Sequence, residues 1–259
     1  MATAVEEHVD THGGRPANVP NKGLVLFVVK ASPTSAVNSV KLVMLLEELG
    51  VPHEVVVLNN PGIEGWFKQI NPLGLIPALE DDVRTAAGIS TQRVNVFESS
   101  SCMTFLADKY DTENVFCGRD LHERTIVGNW MALHTASLGP TAKWWLWFKV
   151  KSPNTIGNTL DLLAKAIRDQ YDILERRLSE PSQEYVALLD RATIADFVNL
   201  PFANAQIAST AGFDFRDWPN LSTWSEKMLA RPAVKRAMAR VQMFGVEEDQ
   251  VNGTPSDSH

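Results

Sequence analysis

Cysteine is scarce in this chain of 259 residues: only Cys102 and Cys117 occur, with no Cys-x-x-Cys pair and no Cys/His cluster at ligand spacing. A disulfide framework and a zinc site are therefore not expected, and no metal is; a reducing compartment fits. No run of Lys or Arg is long enough to track a phosphate backbone, and 24 basic against 31 acidic residues leave a net charge of -7, which argues against nucleic acid as a partner. No apolar stretch reaches the about 18 residues that a membrane helix needs, so no membrane partner is expected. The richest segment, KWWLWFKV at residues 143 to 150, is far shorter. The first residues include Glu6, Glu7 and Asp10 and no apolar leader core, so the expected location is cytoplasmic.

What is present is an ordinary globular composition, 44% hydrophobic and 21% charged, enough for one large domain or two small ones. Residues 1–22 and 246–259 are polar and are expected to be flexible tails. Between them the pattern changes period often at first and then settles. GLVLFVVK (23–30) reads as a buried strand. A helix follows, with Val37, Val40, Met44, Leu45 and Leu49 at three- and four-residue spacing, Ser35 as N-cap and Gly50 past its end. HEVVVLN (53–59) reads as a second strand, parallel to the first. A short helix near Glu64–Gln69, the segment NPLGLIPALEDD (71–82) and a brief strand over 94–97 come next. The stretch 83–93 is expected to be a long projecting loop. From Ser99 onward the pattern predicts helices over 99–109, 121–149, 155–178, 193–209, 221–229 and 232–243. This order, βαβαββα and then helices, predicts an α/β plus all-α chain: a thioredoxin-like domain over 23–112 and an all-helical domain over 118–245.

Two features of the first domain suggest ligand chemistry. If the Ile76-Pro77 bond is cis, the backbone N–H and C=O of Ile76 turn outward and offer an edge to an extended peptide; the plain alternative is a proline opening an edge strand. Glu98 and Ser99 stand between a strand and a helix. The helix start with Ser99 as N-cap suits a carboxylate, and Glu98 suits an ammonium, so the pair matches a γ-glutamyl end. The plain alternative is a capping serine beside a solvated glutamate.

The segments LLEELGVPHEVV, NPLGLIPALED and FESSSCMTFLADKY resemble the N-terminal half of glutathione transferases, and the resemblance extends over roughly residues 23 to 240. It implies glutathione as co-substrate, a homodimer, Ile76 and Pro77 at the cysteinyl backbone, and Glu98 and Ser99 at the γ-glutamyl group. The all-helical half is then the family's C-terminal domain. Thr193 and Asp196 resemble its capping box, with the threonine hydroxyl accepting from the aspartate N–H. Leu75 departs from the pattern, since many relatives carry Lys or Arg before the Ile/Val-Pro pair.

A free thiol has a pKa near 8.5, so a transferase must stabilise the thiolate. At the first helix start, ASPTSAVNSVK offers Ser32, Thr34, Ser35, Asn38 and Ser39, and neither Cys nor Tyr. The thiol-exchange and tyrosine-using classes are thereby disfavoured. SAVNSVKLVMLLEELG resembles fungal transferases related to the yeast nitrogen-catabolite prion regulator, in which Asn stands at the position of Asn38. Asn38 ranks first as thiolate ligand, Ser35 second and Lys143 third, all as catalytic candidates; plain capping is the structural alternative. Trp144, Trp145, Trp147 and Phe148 cannot share one helical face, so some must pack in the core or at a subunit contact; core is the default and a substrate wall the lesser reading. Trp130, Met131 and His134 are candidates for the electrophile pocket, with a packed, hydrogen-bonded role for His134 as the alternative.

The expected function is addition of glutathione thiolate to a small hydrophobic electrophile. Ser35, Asn38 and Lys143 suggest a resemblance to transferases of gliotoxin-type epidithiodioxopiperazine pathways, in which an oxidised diketopiperazine, an acyl imine, takes up sulfur. A non-catalytic glutathione-binding regulator and a broad-specificity detoxifying or peroxide-reducing transferase are the alternatives.

Overall fold

A computed structural model describes residues 14–32, 36–85, 88, 90–151 and 158–246. The first domain has the expected order: β1 (Val25–Val29), α1 (Ala36–Leu49), β2 (Glu54–Leu58), a 3-10 turn (Phe67–Gln69), β3 (Ala78–Arg84), β4 (Thr91–Phe97) and α2 (Ser99–Tyr110). The sheet runs β2-β1-β3-β4, with β1 and β2 parallel and the other two pairs antiparallel. β1 is central and buried on both faces. Leu26 and Val28 join a large core with α1, α2 and the helical half, while Val25 and Phe27 join a smaller one with Trp66, Phe67 and Ile70. This strand period of two lets one apolar run stabilise two layers.

Residues 14–22, inside the segment expected as a tail, pack against the sheet. Val19 belongs to the smaller core, and the Arg15 guanidinium donates to both carboxylate oxygens of Glu80 at 2.9 and 2.6 Å. The connection between β3 and β4 is also tighter than expected. Both strands extend into 83–93, as the register from Ala78–Phe97 to Arg84–Thr91 shows, and beyond them the Thr85 N–H donates to the Ser90 carbonyl at 2.9 Å. β4 alternates little in burial, so its polar first half, Thr91–Arg93, carried no strand signature.

The helical half comprises α3 (Leu121–Leu133), α4 (Gly139–Lys151), α5 (Thr159–Leu178), α6 (Ile194–Asn199), α7 (Ala205–Thr210), α8 (Pro219–Ala230) and α9 (Pro232–Gln242). The helix expected over 121–149 is continuous but widens into a π turn over His134–Leu138, closed by the Gly139 N–H donating to the His134 carbonyl. Pro140 lacks an N–H and its ring crowds the carbonyl of residue 136, and the wider turn absorbs both defects. The helix expected over 193–209 is two helices, because Pro201 follows the end of α6 and Asn204 caps α7 through the N–H groups of Gln206 and Ile207.

α9 lies along α1. Glu47 pairs with Arg236 at 2.8 Å and Arg240 at 3.3 Å, and Glu48 with Arg231 at 2.6 Å, tying the two halves together. Partly exposed surface pairs of this kind contribute only about 0.2–1 kcal/mol each; the apolar seam beneath them dominates. No helix among the described residues is long and apolar enough to cross a membrane.

Candidate active site

NPLGLIP forms a braced turn. Buried Asn71 accepts from the Leu73 N–H at 3.1 Å and donates to the Leu75 carbonyl at 2.7 Å, while the Gly74 N–H donates to the Asn71 carbonyl at 2.8 Å. Gly74 has φ +60°, and a Cβ there would meet the Pro61 carbonyl oxygen at 2.8 Å, so only glycine fits. The Ile76-Pro77 peptide is cis. The β1–β3 ladder ends at Phe27–Ala78, so Ile76 lies beyond the paired strands, half-buried, on a pocket wall.

The α2 start differs in detail from the expectation. Ser99 is the first helical residue, and Glu98 occupies the cap with φ 67° and ψ 125° and no side-chain cap hydrogen bond. Positive φ on a non-glycine residue costs on the order of 1–3 kcal/mol and persists only where the surroundings enforce it. Here it leaves the helix N-terminus and the Glu98 carboxylate exposed toward a pocket lined by both.

Under this start lies a polar relay that sequence reasoning missed. Lys41, one turn along α1 from Asn38, is fully buried. Its Nζ donates to His134 Nε2 at 2.9 Å, approaches Ser99 Oγ at 3.4 Å, and sits 4.9 Å from the Phe202 ring centre. Burial pulls the Lys41 pKa down to about 7, offset in part by the Glu98 carboxylate. His134 is held well below its ordinary pKa by burial and then by the Lys41 cation, so its ring is neutral. Its Nδ1–H donates to Asn199 Oδ1 at 3.2 Å, and the Asn199 amide donates to the Ala195 carbonyl at 2.8 Å, which assigns this tautomer. A Cβ on Gly139 would meet His134 Nε2 at 2.9 Å, so the glycine leaves the ring its place. The available signal was a lysine inside the apolar run of α1, at i+3 from Asn38.

Two cavities meet at this point. A polar one of about 160 Å3 is lined by Lys41, Glu98, Ser99, His134 and Trp144, among others. A more apolar one of about 420 Å3 is lined by Val29, Val37, Leu75, Ile76, Leu146 and Trp147. Asn38 and Lys143 belong to both, and also to the small cleft that carries Ile76, Pro77, Glu98 and Ser99. The residues expected at the thiolate and at the peptide thus converge, with Ser35 outside the described residues. Of the tryptophans on α4, Trp145 is core, whereas Trp144 and Trp147 are 49% and 46% exposed and stack edge to face at 6.0 Å. Of the residues expected at the electrophile, His134 reaches the polar cavity. Met131 instead lines a separate groove between α2 and α3, and Trp130 packs on the core beneath the Arg177 guanidinium, 5.7 Å from its ring centre.

Residues 37–109 match the family model of the glutathione S-transferase N-terminal domain, and residues 143–232 that of its C-terminal domain. Over 226 residues, the chain is 50% identical to glutathione S-transferase sirG of Leptosphaeria maculans, covering 87% of this chain and 95% of that one. The chain belongs to the glutathione S-transferase family. It is also 41% identical to glutathione S-transferase aclG of Aspergillus oryzae, over 86% of this chain and 97% of that one. Among solved structures, a glutathione transferase homologue from Lodderomyces elongisporus with two glutathiones per subunit is 26% identical, with a TM-score of 0.73 over 85% of this chain and 99% of that one. The glutathione transferase URE2P6 of Phanerochaete chrysosporium, in complex with oxidised glutathione, is 27% identical, with a TM-score of 0.71 over 85% of this chain and 97% of that one. In this glutathione S-transferase, the thioredoxin-like sheet supplies the braced turn and the helical domain supplies Lys143, His134 and the exposed tryptophans.

The capping box of the helical domain is present as expected: the Thr193 hydroxyl accepts from the Asp196 N–H, and the Asp196 carboxylate reaches back to the Thr193 N–H. Asp196 accepts from the Thr193 N–H at 2.8 Å and the Thr193 hydroxyl at 3.0 Å, and also from the Val186 N–H and Trp224 Nε1. It closes on itself and opens onto no pocket named above.

Proposed function

We propose that this transferase adds the thiolate of glutathione to a small apolar electrophile, an oxidised diketopiperazine of the gliotoxin type. The observation that carries this reading is that Asn38 and Lys143 line both the polar cavity and the apolar one. The co-substrate's sulfur and the acceptor's carbon would meet at the side chains fit to stabilise an anion. In this reading the γ-glutamyl group sits at Glu98 and Ser99, the cysteinyl backbone pairs with Ile76 beside Pro77, and Trp144 and Trp147 wall the acceptor. Asn38, Ser35 and Lys143 hold the thiolate through amide, hydroxyl and ammonium donors, aided by the positive end of α1. The thiolate attacks the acyl-imine carbon, the C–N π electrons move to nitrogen, and a proton from water restores the amide N–H. Catalysis then consists of proximity and thiolate stabilisation, with no covalent protein intermediate and no metal. We further take the working form to be a cytoplasmic homodimer, as the family resemblance implies.

One relative is named for a synthesis, which supports a biosynthetic acceptor over a generic one: the trimodular acetylaranotin synthesis protein of Aspergillus terreus is 38% identical over 82% of this chain, and the match spans 21% of that protein. Incubation with glutathione and a diketopiperazine acyl imine, followed by mass spectrometry, should yield the carbon–sulfur adduct faster than an aryl halide does. Equal turnover of both acceptors would favour a detoxifying transferase. Tight glutathione binding with no adduct from either would leave a regulator.

A further inference from the structure

We propose that Lys41 is a proton-linked binding residue: a carboxylate seated at Ser99 draws a proton onto the Lys41 amine, so that the co-substrate binds together with a proton. This rests on the glutathione reading above. The geometry is that of a buried base waiting for an anion. The Lys41 Nζ is buried, lines the polar cavity and lies 3.4 Å from the Ser99 hydroxyl; its tightest partner is the neutral ring of His134 at 2.9 Å. Among the described residues it forms no ion pair.

The charged and titratable groups facing it are few. α2 contributes Glu98, whose carboxylate favours the ammonium. The π turn contributes His134, and α4 contributes Lys143 to the same cavity. α6 contributes the neutral Asn199, behind His134, and Phe202 follows it. Without a carboxylate at Ser99 the amine is therefore divided between its two forms near neutral pH, its pKa being about 7. A zwitterionic γ-glutamyl end acts on it from two sides. Its ammonium pairs with Glu98 and weakens that support, but its carboxylate lies at Ser99, the nearer residue. An opposite charge within about 4–6 Å favours the charged amine, so the carboxylate prevails.

The test is calorimetric titration of the whole chain with S-methylglutathione, which has no thiol to ionise, at pH 7.5 in two buffers of different ionisation enthalpy. The wild type should take up more protons than Lys41→Met by on the order of half a proton per site. The variant should bind several-fold more weakly while melting cooperatively. In the wild type, the analogue whose γ-glutamyl α-carboxylate is an amide should lose the same share of uptake, a control that needs no variant. Equal uptake by wild type and variant, or by the acid and the amide, overturns the proposal while leaving glutathione binding intact. Absence of binding by S-methylglutathione overturns the glutathione reading and this one with it.

Discussion

Two helix starts in this protein pair an acid with a hydroxyl, and they are built in opposite ways. At α6, Asp196 is fully buried and takes four donors, two from Thr193, one from Val186 and one from Trp224. At α2, the Glu98 side chain makes no cap bond, its backbone has φ 67°, and the Ser99 hydroxyl has only the long approach of Lys41 among the described residues. The first start is satisfied from within and serves the fold. The second is left open toward a cavity, and a ligand can complete it. The two are linked, since Asn199 at the end of α6 orients His134, which accepts from Lys41 beneath Ser99. A self-contained cap thus anchors an unsatisfied one.

The largest effect should come from breaking the closed start. Asp196→Ala leaves four buried donors unpaired, and at about 1–3 kcal/mol for an unsatisfied group, partly relieved by relaxation, unfolding should become easier by roughly 3–5 kcal/mol. Denaturant titration reads this directly; a loss under 1 kcal/mol would show that the network is dispensable. The next effect belongs to the open side. Asn38→Ala should lower kcat/KM about 100-fold, near 2.7 kcal/mol, because a positioned donor to a developing or resident anion contributes that much, while the melting temperature stays close to wild type. A change within about twofold would remove Asn38 from the thiolate.

How far the sequence reveals these two starts follows from how local each is. Pro77, Glu98-Ser99 and Thr193-Asp196 are legible because a turn or a cap is written in four or five adjacent residues. Asn38 is legible through its place on the first turn of α1. The relay is not. Lys41 meets His134 across 93 residues, and nothing near it in sequence marks it as buried except its apolar neighbours. Trp130 and Met131 lie away from the two cavities for a related reason: the π turn at His134 offsets the two halves of the long helix, so a face extrapolated through it points elsewhere. The division between core Trp145 and pocket-wall Trp144 and Trp147 likewise depends on which neighbours cover α4.

The relay also gives the open start a pH signature that the closed one lacks. In the unfolded chain Lys41 has its ordinary value of 10.5, and in the fold burial lowers it to about 7. Between these values the unfolded state binds the extra proton, so this residue makes stability rise with pH. Its charged form penalises the fold most fully below pH 7. The slope approaches about 1.4 kcal/mol per pH unit in the middle of the window. Chemical denaturation of the ligand-free protein from pH 7 to 9 should show this rise against the background of other groups. Lys41→Met should flatten it and should be more stable than wild type at pH 7, since an apolar replacement avoids burying a charge. An unchanged slope would mean that the lysine is solvated in solution.

The smallest pair of effects separates the two starts most cleanly, because the same chemical change is made at each. Ser99→Ala removes a hydroxyl facing the cavity and nothing that the fold requires. It should weaken glutathione binding about tenfold, near 1.4 kcal/mol, with stability changed by less than about 0.5 kcal/mol. Thr193→Ala removes one of the four donors to Asp196 and a buried methyl, so it should lower stability by about 1–2 kcal/mol and leave glutathione affinity within twofold. Calorimetric binding and denaturant unfolding on both variants give a two-by-two comparison. If both mutations move both quantities alike, the starts are not independent, and the coupling would have to run through Asn199 and His134, the bonded path between α6 and the cavity.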